Sequence, residues 1–152
     1  MVTNLISQLP WERSVGRRPL SQIKYAVVHH DAVDAQQPYE IIKRYKLEAI
    51  NHINKKPTWG HLSYHYKIAY DGRIYLCVPE EEIGYHAGHY TVNRDGIGIC
   101  LDGDFSKHDP TKEQVDSLED LIVHLATKRP DMPNLVKRSF YGHREVRFFY
   151  TF

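Results

Sequence analysis

Short apolar runs alternate with amphipathic segments along the chain, and their order predicts its secondary structure. The run "KYAVVHH" (24–30) is apolar and β-branched, which is typical of a central strand. Two tyrosine- and isoleucine-rich runs surround Asp71-Gly72, the strongest short-range signal for a β-hairpin. We therefore expect the two strands within "YHYKIAYDGRIYLCV" to be antiparallel neighbours.

Two segments carry apolar residues at the three- and four-residue steps of an amphipathic helix. The first runs from about Tyr39 to Ile53, and its apolar positions are Ile41, Ile42, Tyr45, Ala49, Ile50 and Ile53. The second, "DPTKEQVDSLEDLIVHLATKRP", opens with Thr111 and Gln114 in the spacing of a capping box and ends before Pro130. Its predicted apolar face consists of Val115, Leu118, Ile122 and Leu125.

Two further runs complete the predicted sheet. "GIGICLDGDF" (96–105) predicts a strand packed beside the first, and "SFYGH" predicts a short last strand that brings His143 close to the C-terminus. Because helices and strands alternate, the fold class is α/β, with a central mixed β-sheet flanked by helices. A length of 152 residues fits a single domain, with residues 1–23 as an N-terminal lead-in.

Composition limits the partners and the compartment. With 20 Lys and Arg against 19 Asp and Glu, the charge gives no indication of a nucleic acid or an anionic membrane as partner. Cys77 and Cys100 lie in apolar runs, which favours buried thiols over a disulfide framework. The N-terminus lacks the pattern of a signal peptide, and no stretch approaches the roughly 20 apolar residues of a membrane span. We expect a soluble monomer made in the cytoplasm without its own export signal.

The chain holds 10 histidines, and four candidate residues fall where loops leave strands. A lone histidine at a strand end is ordinarily structural or exposed, but His29, Tyr64, His86 and His143 together form a constellation at the usual place for a site on an α/β scaffold. Zinc would use two or three histidines with one sulfur or carboxylate ligand and keep a position for water. No HExxH motif is present, which argues against a thermolysin-like site.

Four segments, taken in order and at their separations, resemble the zinc-dependent N-acetylmuramoyl-L-alanine amidases. That superfamily includes phage amidase endolysins and peptidoglycan recognition proteins. The segments are "YAVVHHDA", "SYHYKIAYDGRIY", "IGYHAGHYTVNRDGIGICLDGDF" and "YGHREV", and the resemblance covers roughly residues 24–147. It implies an amidase-like fold, a Zn²⁺ cofactor and hydrolysis of the amide between N-acetylmuramic acid and L-alanine in bacterial peptidoglycan.

The resemblance also implies roles for particular residues. His29 and His143 match the family's two zinc histidines, and Tyr64 matches its active-site tyrosine. His86 matches a histidine that lines the substrate groove, where it would contact substrate or assist proton transfer. The loop candidates for substrate binding are Tyr85, Tyr90 and Asn93, and Asn93 is expected to shape its loop rather than to react.

His30 follows the first zinc histidine directly. Successive side chains of a strand point to opposite faces, so His30 is expected to pack or hydrogen-bond on the other side of the sheet.

The chain departs from the family near its C-terminus. Family members place a third zinc ligand, Cys or Asp, eight to ten residues after the second histidine, and "GHREVRFFYTF" contains neither. Either the chain stops just before a ligand at position 153 or the ligand has been lost; the retention of both histidines and Tyr64 favours the first. An oxyanion-stabilising Lys or Thr would fall on Phe149 or Thr151, and of these Thr151 alone can donate a hydrogen bond.

A second departure lies on the predicted strand 96–105. Cys100 stands where some branches of the family carry a catalytic Glu, which would leave Tyr64 and zinc with most of the chemistry. We expect the catalytic domain of a phage or prophage endolysin that acts at the bacterial cell wall. The alternative is a peptidoglycan-binding module without activity.

Overall fold

A computed structural model describes residues 1–33, 40–55 and 59–143 of the protein. Within these residues, six strands form one mixed sheet in the spatial order β1-β4-β3-β5-β2-β6. The β3–β4 pair is antiparallel and the other pairs are parallel. The strands are β1 (Val2–Asn4), β2 (Tyr25–His30), β3 (Tyr66–Ile68), β4 (Ile74–Leu76), β5 (Gly96–Leu101) and β6 (Phe140–Gly142).

Helices cover both faces of the sheet. The helices are α1 (Ile41–Lys55), α2 (Tyr90–Asp95) and α3 (Lys112–Thr127), with short 3₁₀ turns at Ile6–Gln8, Leu20–Gln22 and Lys137–Ser139. Leu121 and Leu125 of α3 pack in one apolar cluster with Ile68 and Ile99 of the sheet. Tyr45 and Ala49 of α1 pack with Tyr75 in a second cluster. Since neighbouring strand residues point to opposite faces, α1 and α3 lie on opposite sides of the sheet.

The predicted fold class is confirmed, and so are its main elements. The Asp71-Gly72 turn joins the antiparallel strands β3 and β4, and β5 lies directly beside β2. Helix α3 begins with the predicted capping box of Thr111 and Gln114. Helix α1 begins at Ile41; Tyr39, the predicted start, lies outside the described residues.

The predicted apolar faces of the two helices were wrong at one position each. Ile50 of α1 is 43% exposed and Val115 of α3 is 39% exposed. In α3 the buried stripe runs through Gln114, Leu121 and Leu125 instead. Gln114 can be buried because its side-chain amide donates to the carbonyl oxygens of Ile68 and Asp102, at 3.3 Å and 2.8 Å.

The N-terminal lead-in contributes more to the sheet than its sequence indicates. β1 pairs with β4 at the edge of the sheet, and Leu5 and Leu9 just after it are buried in the core cluster of α1. Cys77 and Cys100 are buried free thiols, as predicted. Among the described residues, no helix is long and apolar enough to cross a membrane.

Candidate active site

Strand register places the first candidate histidine on the α1 face of the sheet. His29 of β2 is paired with Cys100 of β5, which is paired with Lys67 of β3, so the three side chains lie on one face. His30 points to the other face, where its Nδ1 accepts a hydrogen bond from the Phe105 amide at 3.0 Å. The expectation that His30 forms a structural hydrogen bond is therefore met.

The two predicted metal ligands meet at the ends of adjacent strands. Beyond β6, the amide of His143 donates to the carbonyl oxygen of Val28 in β2 at 3.0 Å, which continues the strand pairing. This pairing brings the Nδ1 atoms of His29 and His143 to 2.9 Å from each other. Burial, helped by the neighbouring histidines, lowers the pKa of His29 to about 2, so its ring is neutral at physiological pH.

Neutral imidazole nitrogens that face each other are suited to share a metal ion. Zinc binds imidazole at about 2.0–2.1 Å, which in tetrahedral geometry puts two nitrogens about 3.3 Å apart. The observed 2.9 Å between His29 and His143 needs to widen by only a few tenths of an ångström. Within residues 1–33, 40–55 and 59–143 there is no group of three or more His, Cys, Asp or Glu side chains placed to hold a metal. The segment where a third ligand is expected, with Phe149 and Thr151, lies outside the described residues.

His86 lies behind His29 and shares a hydrogen bond with it. The Nδ1 atom of His86 is 3.0 Å from Nε2 of His29, and both rings are buried. Nε2 of His86 has no hydrogen-bond partner among the described residues. Burial, with contributions from His65 and Arg18, lowers the pKa of His86 well below its ordinary value. His86 is therefore a neutral ring that is held against His29 in the pocket wall.

Asn93 fixes the loop that carries His86. Its side-chain oxygen accepts from the backbone amides of His86 and Ala87, at 3.0 Å and 2.8 Å. The guanidinium of buried Arg18 donates to the backbone carbonyls of Asn93 and Gly96, at 3.3 Å and 2.9 Å. The structure thus gives Asn93 a loop-shaping role. Asn93 also lies in the pocket wall, and its contact with substrate stays a prediction.

Tyr64 faces the histidines from the start of the hairpin. Its ring centroid lies 5.2 Å from that of His29, and the side chain is half-buried. Burial raises the pKa of the phenol above its ordinary value, so the hydroxyl keeps its proton at neutral pH. Tyr64 can therefore donate a hydrogen bond into the site.

A pocket of about 510 Å³ adjoins these residues. It contains all five predicted catalytic and substrate-binding side chains together with four other residues. Its lining is His52, Trp59, Ser63, Tyr64, Tyr85, His86, Gly88, Tyr90 and Asn93. Such a concave, partly aromatic wall is typical of small-ligand sites.

Trp59 and His52 are pocket residues that sequence reasoning missed. The Trp59 ring stacks with Tyr85 at 6.0 Å and contacts the His52 ring at 4.4 Å. His52 is held by the Ser63 hydroxyl, 2.9 Å from its Nδ1. The one weak signal for Trp59 is that an aromatic residue lies in the Pro- and Gly-containing stretch after the first helix, and nothing in the sequence distinguishes it from a packing residue.

Comparison with known proteins decides the family. A family profile described as N-acetylmuramoyl-L-alanine amidase matches residues 19–148. The chain belongs to this family. The match extends the resemblance seen in the four sequence motifs over most of the chain, and it includes His29, Tyr64, His86 and His143.

Relatives of this amidase-family chain are of two kinds. It is 30% identical over 122 residues to peptidoglycan-recognition protein SD of Drosophila simulans, covering 80% of this chain and 62% of that protein. It is 36% identical over 80 residues to the endolysin of Escherichia phage T7, covering 49% of this chain and 52% of the endolysin. The chain thus spans between half and two thirds of the length of each.

Solved structures share the fold. The N-acetylmuramoyl-L-alanine amidase LysC from Clostridium intestinale matches with a TM-score of 0.71 and 25% identity, over 97% of this chain and 85% of LysC. Drosophila peptidoglycan recognition protein SD matches with a TM-score of 0.80 and 21% identity, over 96% of this chain and 84% of that one. At the latter identity the likeness concerns the fold alone.

Proposed function

We propose that the protein hydrolyses the amide between the lactyl group of N-acetylmuramic acid and L-alanine in bacterial peptidoglycan. The observation that carries this proposal is the convergence of His29 and His143, 2.9 Å apart at Nδ1, beside Tyr64 and His86 at the edge of one pocket. The family match supports the same reaction class. We further propose that the chain acts at the cell wall as the catalytic part of a phage or prophage endolysin, with peptidoglycan as its partner.

Zn²⁺ is the proposed cofactor, with His29 and His143 as two of its ligands. When bound, zinc supplies Lewis acidity that polarises a carbonyl group and makes a nearby water more acidic. The donor set fits, since neutral imidazole is a preferred zinc ligand. The position at which the family places a third protein ligand, eight to ten residues after His143, lies outside the described residues.

Metal binding through Nδ1 fixes where the histidine protons lie. His29 must then carry its proton on Nε2, which donates to Nδ1 of His86, and His86 in turn carries its proton on Nε2. His86 also lines the pocket, so in this proposal it holds His29 in orientation as a metal ligand and contacts the substrate or assists proton transfer.

Tyr64 supplies a hydrogen-bond donor in this proposal. Its phenol remains protonated at neutral pH because burial raises its pKa. As the amide carbonyl is attacked, negative charge develops on the oxygen, and a donor already aimed at it stabilises the transition state more than the ground state. Tyr64, as this donor, and His86, through its contact with His29 and its place in the pocket wall, are the proposed catalytic residues.

In this proposal, the aromatic wall of the pocket binds the glycan and the stem peptide. Trp59 and Tyr85 present stacked rings, and Tyr90 at the pocket edge is 59% exposed. Aromatic faces combine a large apolar area with a polar tip, a combination suited to sugar rings and short peptides. Tyr85, Tyr90 and Asn93 are the proposed substrate-binding residues, to which we add Trp59.

A second candidate function is peptidoglycan binding without hydrolysis. The relatives named peptidoglycan-recognition protein favour it. A binder has no need of two histidines brought nitrogen to nitrogen, so the geometry favours the amidase.

Product analysis separates the two functions. The protein is incubated with purified peptidoglycan in the presence of Zn²⁺, and soluble products are identified by mass spectrometry. An amidase releases stem peptides with a free N-terminal L-alanine and leaves the glycan strands uncut. The variant Tyr64→Phe serves as control and should slow release by about a hundredfold. Retention of the protein on peptidoglycan without peptide release would instead establish the binding module.

A further inference from the structure

A buried ion cluster lies next to the candidate active site, and the proposed mechanism does not use it. Its centre is Lys67 of β3, whose side chain is 0% exposed. The Lys67 ammonium lies 2.5 Å from Glu48, 3.2 Å from Asp31 and 3.3 Å from Asp102. Arg44 of α1 pairs with Asp102 as well. The sequence signal was a lysine inside the apolar run "YHYKIAY", which strand alternation alone does not explain.

Stability does not account for this cluster. Moving an ammonium group and several carboxylates out of water costs more than their mutual attraction commonly returns, and well-packed apolar residues of similar size often serve as well or better. A role other than stability is therefore needed to explain a cation at a fully buried sheet position. Buried ion pairs that are kept for a reason other than stability often specify one arrangement of the elements they join.

The cluster joins the elements that carry the site. Asp31 follows the β2 histidines directly, and its Oδ1 accepts from the Gly103 amide after β5 at 2.9 Å. Glu48 comes from α1, and Asp102 comes directly after β5. Lys67 contacts all three carboxylates, so it connects the ends of β2 and β5 and the helix α1 to β3. β3 is the strand that Tyr64 precedes.

Lys67 also contacts Tyr64 itself. Its ammonium lies 5.9 Å from the centroid of the Tyr64 ring, within the range of a cation–π interaction. The same ring lies 5.2 Å from that of His29. Tyr64 therefore contacts both the Lys67 cation and the candidate metal ligand.

We propose that Lys67 is a positioning residue, whose carboxylate-held ammonium fixes the Tyr64 ring against His29. Lys67 is fully buried and does not touch substrate, so it acts through Tyr64. The inference rests on the proposed function for its effect on catalysis, but the placement of the Tyr64 ring can be measured without any activity.

The test uses the double variant Lys67→Met/Glu48→Gln. It removes one positive and one negative charge that face each other at 2.5 Å, so the net charge of the cluster is unchanged and side-chain volumes are nearly kept. Lys67→Met alone would make the buried cluster more negative by one charge and confuse positioning with unfolding. The double variant is therefore expected to fold.

The matched control is Tyr66→Phe. Tyr66 is the residue before Lys67 in β3, is buried on the opposite face, and donates its hydroxyl to Glu80. The substitution removes a buried hydrogen bond to a carboxylate in the same strand, away from Tyr64. It should lower stability but leave the turnover number unchanged.

Two readouts decide the outcome. In peptide release from peptidoglycan, the double variant should lose about tenfold or more in kcat with KM within about twofold, because a misplaced donor costs rate rather than binding. In NMR spectra of ring-labelled tyrosine, the Tyr64 signal, assigned by its loss in Tyr64→Phe, should move in the double variant and stay in place in Tyr66→Phe. The proposal would be overturned if the double variant showed the same Tyr64 signal or the same kcat as the control. If the unaltered protein releases no peptide, the amidase function fails, and the Tyr64 signal still decides whether Lys67 positions the ring.

Discussion

Gly98 has no side chain at the point where the His86 ring crosses β5. A Cβ atom there would lie 2.7 Å from Cγ of His86, closer than real Cβ contacts. Gly98→Ala should therefore push His86 away from His29 and break their 3.0 Å hydrogen bond. We expect a loss of about tenfold or more in kcat/KM, measured by peptide release with folding checked by circular dichroism.

Ile99→Val is the control for this substitution. Ile99 is the next residue of β5, points to the α3 face and belongs to the apolar core. Its shortening costs about 0.5–1.5 kcal/mol of stability and should leave activity unchanged. Equal activity of Gly98→Ala and Ile99→Val would show that the position of His86 does not matter to the reaction.

At the scale of residues, the sequence indicated the residues of the site but not those that hold them in place. His29, Tyr64, His86 and His143 were recognised because strand ends and family motifs mark them, and the structure brings all four together. Lys67 could not be assigned from sequence, because its partners come from α1 and from two other strand ends. Only the folded chain shows that a lysine within an apolar run is surrounded by carboxylates.

At the scale of elements, the loop that carries His86 depends on one amide side chain. Asn93 of α2 accepts from two backbone amides of that loop, those of His86 and Ala87. Asn93→Ala should leave the Ala87 amide without its acceptor, at a cost of about 1–3 kcal/mol, and leave the His86 amide with only the Gly84 carbonyl oxygen at 3.1 Å. We expect faster hydrogen exchange at His86 and Ala87 and lower activity.

The matched variant for this loop is Asn93→Asp. It keeps an oxygen in the accepting position and should preserve slow exchange at both amides far better than alanine does. If hydrogen exchange at these amides were as slow in Asn93→Ala as in the unaltered protein, other contacts would hold the loop, and the role assigned to Asn93 would be wrong.

Elements with a strong pattern were predicted correctly, and those without one were not. The hairpin and α3 have local signals in Asp71-Gly72 and in the Thr111–Gln114 capping box. These signals specify the two elements independently of the rest of the chain. β1 is three residues long, and its strand state depends on pairing with β4, far along the chain. A three-residue segment is too short to show periodicity, so its strand state could not be read from sequence.

At the scale of the whole molecule, buried histidines should make the fold acid-sensitive. Burial lowers the pKa of five histidines, namely His29, His52, His61, His65 and His86. Each takes up a proton on unfolding below about pH 6.5, so stability is complete above that pH and is lost as the pH falls. Between its lowered pKa and about pH 6.5, each contributes a slope of up to about 1.4 kcal/mol per pH unit. Asp102 opposes this between about pH 4 and 6, since burial raises the pKa of its carboxyl to about 6.

Urea unfolding of the metal-free protein between pH 7 and pH 5 measures this slope. His61→Phe removes one of the five titrating groups and keeps a ring against Trp11, on which His61 stacks at 4.3 Å. The variant should show a smaller slope, with a difference of at most about 1.4 kcal/mol per pH unit. A stability that stays constant over this pH range would mean that these histidines are not buried in neutral form.

The central claim is that His29 and His143 form a metal-dependent amidase site. Its most direct test is peptide release from peptidoglycan as a function of added Zn²⁺, by the chelator-treated protein in its natural full length and by its His29→Ala and His143→Ala variants. We expect zinc to restore release in the unaltered protein at a stoichiometry of about one, and neither variant to recover more than about a hundredth of that rate. Release that is independent of zinc, or that persists in either variant, would contradict the account.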